Sequence, residues 1–372
     1  MKQFVILFLL IISFNLIAED TNQSLSSSTN AATTASSSSE GYIINSELMD
    51  TFKYGTTSQK ISAISRIKKT KNENDISAMV EYYPNEKNNK IKIEIINFFK
   101  QNVNDKGKTI IDYAIVDEDD SVRKEAYYLC SIYPDIKYES SIMSSISNES
   151  GLILDSMINA LGSIKSTLAS DYLAEKYTND VIGSSTKIEI LRYFSETKDI
   201  KGEIICRNVA QNTGEPALVR YMGIVAMGAY PSAENYEILQ KILKEDLPEV
   251  TARVIYILPE YSAYGDIKKD IVEACKNDSE SVRIYAIKAL DDYKTEPEIQ
   301  ELLLYRLQND NSENITLEVL NLYSDSMPTG EMFDAIKKLA DSSANKKIKD
   351  KAKSIVEGSN NTTTETTTAT AY

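Results

Sequence analysis

The chain repeats itself, and that repeat constrains its fold more than any other feature. Asp-Ser-Val-Arg-Lys-Glu-Ala at 120–126 returns as Glu-Ser-Val-Arg-Ile-Tyr-Ala at 280–286. With Val122 and Val282 as anchors, equivalent positions fall at Ile91, Val122, Ile153, Thr186, Val219, Val250, Val282, Ile315 and Ile348, at intervals of 31, 31, 33, 33, 31, 32, 33 and 33 residues. A period of this size marks stacked supersecondary units, each touching only its neighbours.

The anchor does not stand alone. Four residues on are Ile95, Ala126, Met157, Ile190, Gly223, Val254, Ala286, Val319 and Ala352, and the pairs seven and eight on run from Phe98-Phe99 to Ile355-Val356. Spacing of 0, 4, 7 and 8 is one face of an α-helix. Another apolar-periodic segment precedes each such helix, as in Ile110-Ile111 with Ala114-Ile115, or Ile271-Val272 with Ala274-Cys275. The unit is therefore a helix pair. Oxygen-bearing residues fill the inner turn (117–121, 148–149, 277–281 and 310–312), where they can cap the second helix. Pro134, Pro231 and Pro297 fall in the other gap, between units.

A pair of this length, with Asp at the inner turn and Val-Arg-x-x-Ala opening the second helix, resembles the HEAT repeat, most closely the short bacterial form found in PBS-lyase-type proteins. The resemblance covers 74–357, with a partial unit at 57–69. It implies an all-α, right-handed α-solenoid of about nine stacked helix pairs, with first helices outside and second helices lining a concave side. Leu154, Thr251 and Thr316 depart from the pattern by replacing the basic residue after the anchor, and Thr186 replaces the apolar anchor. Tyr133, Tyr230, Tyr261 and Tyr293 stand where such repeats often place a closing glycine.

Disordered segments are expected to flank the solenoid. Lys2 followed by a short apolar run to Ala18 reads as a signal peptide over 1–18, an uncleaved anchor being the alternative. A Ser/Thr-rich spacer at 19–45 and a Thr-rich tail at 358–372 lack the apolar residues to offset ordering entropy, leaving 46–357 as the solenoid. The expected location is periplasmic or secreted, with no membrane span once the signal is removed.

Catalysis has little to work with. The chain has no histidine, the commonest general base and metal ligand, and its three cysteines, Cys130, Cys206 and Cys275, are far apart and read as small buried hydrophobes. No catalytic residue, metal or cofactor is expected. Residues 110–330 carry 21 Lys and Arg against 38 Asp and Glu, a balance of −17 within a net charge of −14. Such a centre repels phosphate backbones, which argues against nucleic acid, and it serves either a basic partner or solubility alone.

The basic residues one after the anchor (Lys92, Arg123, Lys187, Arg220, Arg283 and Lys349) admit two readings, a charged groove or a ladder tying units together, and the ladder is preferred. Among enzymes with HEAT-like repeats, di-iron hydroxylases need histidine ligands and DNA-repair glycosylases a basic cleft. The bilin lyases resemble this chain's repeats most closely and supply the enzymatic alternative, a lyase-related enzyme or ligand chaperone; an anchored structural protein of the envelope is another. The preferred expectation is a non-enzymatic scaffold binding a protein or peptide through the concave face, at positions two, three and six after each anchor. Its candidate residues are Tyr128, Arg192, Tyr221, Met222, Arg253, Tyr256, Ile284 and Tyr285, types enriched at interface cores.

Overall fold

A computed structural model describes the backbone of residues 40–245 and 247–365, and the side chains of 47–245 and 247–358. The expected signal peptide, the spacer up to residue 39 and the tail from residue 366 lie outside these residues.

Several second helices begin at side-chain oxygens of the inner turn. Asp119 accepts hydrogen bonds from the Ser121 and Val122 amides, Ser312 from Ile315, and Thr56 forms a reciprocal capping box with Gln59. The helices alternate along the chain as first and second members. First members are α1 (Glu40–Tyr54), α3 (Glu73–Tyr82), α5 (Gly107–Ala114), α7 (Glu139–Met143), α9 (Ser170–Asn179), α11 (Ile200–Gln211), α13 (Ala233–Leu243), α15 (Ile267–Ala274), α17 (Pro297–Asn309) and α19 (Gly330–Ser342). Second members are α2 (Thr57–Thr70), α4 (Asn89–Gln101), α6 (Asp120–Ile132), α8 (Gly151–Ser163), α10 (Ser184–Thr197), α12 (Ala217–Met227), α14 (Pro248–Ile257), α16 (Glu280–Ala289), α18 (Glu313–Leu322) and α20 (Lys346–Glu365). The partial unit expected at 57–69 is α2, which follows α1 in the chain.

From α2 to α20 every second helix packs on the second helix before and after it, giving an unbroken layer. First helices cover one side of it and approach one another at α9–α11, α11–α13 and α17–α19. Among the described residues there is no β-strand. The described residues from α2 to α20 form an α-solenoid of stacked helix pairs.

Eight of the nine anchors are buried; Ile153 is half-buried, with Leu154 buried beside it. All nine positions four residues on are buried as well. The core face is wider than the sequence pattern showed. Position five after the anchor is also buried, at Ile96, Tyr127, Ile158, Leu191, Ile224, Ile255, Ile287 and Leu320, because each second helix packs against two neighbouring second helices besides the first-helix layer. Gly223 marks the tightest approach of α12 to α11: a Cβ there would stand 2.6 Å from the Val209 side chain.

Five of the six basic residues after the anchors form a ladder between units, while Lys349 donates to the Asp341 carbonyl. Lys92 donates to Asp117 (2.6 Å), Arg123 to Glu149 (3.0 Å), Lys187 to Glu215 (3.0 Å), Arg220 to Glu245 (2.6 Å) and Arg283 to Asp310 (2.9 Å). Lys60 extends the ladder to Glu86 (2.7 Å). Arg123 and Arg283 also donate to carbonyls of their own inner turns, Asp117 and Glu118 in one case and Asn277 and Asp278 in the other.

The tyrosines that replace the closing glycine make a second set of ties. Tyr133 donates to the Phe99 carbonyl, Tyr230 to those of Phe194 (2.6 Å) and Asp199, and Tyr261 to that of Met227 (2.7 Å). Each hydroxyl thus reaches the end of the preceding second helix, where carbonyls have no partner within the helix. Tyr293 is half-buried and makes no such bond.

Tyr230→Phe should lower stability by about 1 kcal/mol, since it removes the hydroxyl's bonds to the Phe194 and Asp199 carbonyls, which keep only their backbone donors from Lys198 and Gly202; an unchanged urea midpoint would deny Tyr230 this role. Deleting one full period, 250–281, should leave a shorter solenoid of unchanged helicity per residue. Deleting 266–281 alone removes α15, strips the cover from apolar faces and should give an aggregating chain; equal solubility of the two deletions would refute the register.

Candidate interaction face

With positions 0, 4, 5, 7 and 8 buried, geometry leaves positions two, three and six of each second helix pointing away from the first-helix layer. Position three carries Glu94, Glu125, Glu189 and Glu318 in four units, Met222 and Tyr285 in others, and Arg253 on α14. That exchange of acid for arginine gathers the largest group on the face.

Arg253 lies between two rings, 5.5 Å from the centroid of Tyr221 on α12 and 5.5 Å from that of Tyr285 on α16. Tyr256, one turn along α14, meets Tyr285 edge to face at 5.7 Å. All four side chains are half-buried, and among the described residues no carboxylate pairs with Arg253, although Arg123, Arg192, Arg207, Arg220, Arg283 and Arg306 all have one. Burial, then the neighbouring Tyr285 and Glu260, pushes the Tyr256 hydroxyl pKa up.

The structure unites four of the eight expected residues and disperses the rest. Ile284 is half-buried beside Tyr285 in sequence. Tyr128, exposed, lies two units and more away under Lys100 (4.5 Å to the ring centroid), which also pairs with Glu125. Arg192 is held by Glu189 at 2.6 Å. Met222 is 7 % exposed, so it is a packing residue and not a contact surface; its position falls at the edge of the widened core face. Lys288 was passed over in the sequence, yet it stands over Tyr285 (5.6 Å) and pairs with Glu318 at 3.6 Å. The same register places it at position six, so the signal was present.

Three acids on this side are pushed up in pKa by burial: Glu189 despite Arg192 and Asn159, Glu196 despite Arg192, and Glu318 despite Lys288. The cysteines lie elsewhere. All three are buried, and burial raises the thiols of Cys130 and Cys275 to about 12 and lifts that of Cys206 too. Among the described residues no three His, Cys, Asp or Glu side chains gather as a metal site would require, and no helix is long and apolar enough to cross a membrane.

No family model and no curated protein matches the chain. Among solved structures it is similar to the CpcE–CpcF complex of phycocyanin lyase from Nostoc, at 13 % identity over 65 % of this chain and 93 % of that one, with a TM-score of 0.42. It is similar to human deoxyhypusine hydroxylase in complex with glycerol (13 % identity, 69 % and 99 % covered, TM-score 0.29). A third is a structure of tubulin recruitment by microtubule polymerases with TOG domain arrays (12 % identity, 84 % and 96 % covered, TM-score 0.30). Identities this low carry nothing about activity.

Glu196 offers a check on burial at this face. Its folded pKa is raised above the ordinary 4.5, so the folded state holds its proton more tightly and loses stability as pH rises through the raised value. Glu196→Gln removes that loss. The variant should melt higher than the parent at neutral pH, with the gap closing as pH falls toward 4.5; a gap independent of pH would place the carboxylate in water.

Proposed function

We propose that this chain is a non-enzymatic binding scaffold, exported from the cytoplasm, that presents the face built by α12, α14 and α16 to a protein or peptide. One observation carries the reading: tyrosines from the two neighbouring units flank a half-buried arginine that has no carboxylate partner among the described residues, and a third tyrosine packs edge to face on one of them. Tyr and Arg are the residues in which interface binding energy concentrates, and aromatic rings lose little entropy when they dock. A partner would cover Tyr221, Tyr256 and Tyr285 with apolar surface and bring an acceptor to Arg253.

The rim is polar and mixed. Glu189 with Arg192 stands on α10 to one side, Glu318 with Lys288 to the other, an arrangement suited to a partner with an apolar centre and polar margins. Export rests on the N-terminal sequence. The absence of histidine and the raised thiols support a role in binding over one in catalysis.

The test uses the mature chain as bait for exported proteins of its host, compared with Tyr221→Ala plus Tyr256→Ala, with Arg253→Glu, and with Tyr305→Ala on α17 as a control. A partner held by the parent and the control, and lost by at least tenfold from both face variants, is the expected result. Capture indifferent to the face variants, with their melting curves intact, would remove these residues from the site.

A further inference from the structure

Three joints of the ladder lack the basic residue after the anchor, and they are not alike. Thr251 is answered in the next turn by Asn277 and Thr316 by Ser343, so both halves of the rung are gone. Leu154 is different. It replaces the cation, while the turn before α10 keeps its carboxylate, Asp180.

The joint itself is closed another way. Asp155, buried on α8, accepts from the hydroxyls of Ser185 and Thr186 at 2.6 Å each, which explains why threonine stands at an anchor that is aliphatic in the other units. Asp180 is therefore released from holding units together. Its one ion pair is with Lys176, four residues back at 3.0 Å, and its side chain is 51 % exposed; pairs of this kind contribute little. Lys176 stands 5.5 Å from the Tyr172 ring centroid in the same position.

A pocket of about 620 Å³ opens at the half rung, with Leu152, Leu154, Asp180 and Val181 in its lining together with Lys176, whose ammonium an incoming cation has to displace from Asp180. Leu152 is 67 % exposed and Val181 fully so. The site therefore joins an aliphatic wall to a carboxylate at its end, the complement of a long side chain that is apolar along its stem and positive at its tip.

We propose that this half rung docks a lysine or arginine side chain of another protein, whose charge stands against Asp180 as the repeat's own cation stands against the acid at the intact joints. The methylenes of the incoming residue lie along Leu152 and Val181. This site is independent of the tyrosine face, and a partner bound there could engage one without the other.

Val181→Cys places a thiol on the rim for disulfide tethering, with the native cysteines buried and unreactive. Cysteamine and 3-mercaptopropionate compete for that thiol at redox equilibrium, read by intact mass, and Leu168→Cys serves as an exposed control. The expected preference for the cationic thiol is several-fold greater at Val181→Cys than at the control. Adding Asp180→Asn should reduce it to the control value, and so should Leu154→Lys, which restores the missing cation within the chain. Equal preference at the two thiols, or a preference untouched by Asp180→Asn, overturns the proposal; should Leu154→Lys fold poorly, the Asp180→Asn arm decides.

Discussion

The interaction on which the solenoid depends is a carboxylate with two tasks. Asp117 accepts the Asp119 amide, shaping its own inner turn, and takes the ammonium of Lys92 from the unit before. Asp310 repeats both bonds, with the Ser312 amide and Arg283, and Glu86 does so with the Lys87 and Asn88 amides and Lys60. One side chain thus couples the local geometry that starts a second helix to the contact that registers it against its neighbour. These pairs are partly buried and hydrogen-bonded on both sides, so removing one member costs more than loss of a surface pair would. In an array where units meet only their neighbours, such coupling makes stacking and turn formation a single event.

The period, the helix pairs and the ladder were legible because each rests on local rules that recur. A turn needs an oxygen at a set distance before the helix, a stacked helix needs apolar residues on one stripe, and both leave marks every 31 to 33 residues. The burial at position five was not legible. Ile96 and Ile224 could as well be exposed aliphatics until the approach of two neighbouring second helices is known, and that approach is set by the stack as a whole. The unit around α7 shows the same limit: a five-residue helix between two 3₁₀ turns, Ile136–Tyr138 and Ile146–Asn148, does the work of a full first helix, with Tyr138, Ile142 and Ile146 supplying its buried residues.

The site was legible to a similar depth. Position in the helix was enough to place Tyr221, Arg253, Tyr256 and Tyr285 on one face, since the same offset from successive anchors puts side chains in a row. Which members of the row touch depends on side-chain length and on the neighbour opposite, so Met222 turned inward and Lys288 joined unannounced. Leu154 and Thr186 read as two separate lapses in the repeat. They are one exchange, a cation-to-acid bond traded for an acid-to-hydroxyl bond, and only the contact between Asp155 and Thr186 shows that they belong together.

The same geometry divides the charge in a way that composition cannot. On the tyrosine side three acids are matched: Glu125 faces Lys100 and Lys124, Glu189 faces Arg192, and Glu318 faces Lys288, while Glu196 is held largely by burial. The ladder acids are matched too, each by the cation of the preceding unit. Much of the −17 of the central segment arises from carboxylates outside both sets, in turns and on first helices, such as Glu118, Glu139 and Glu260. A long-range field of that origin surrounds the solenoid without marking the aromatic patch, and exposed charges are screened within about 8 Å at physiological salt. It follows that the acidic centre and the tyrosine face are separable properties. Charge steers approach and keeps the surface soluble, while the patch that holds a partner is close to neutral and acts through contact.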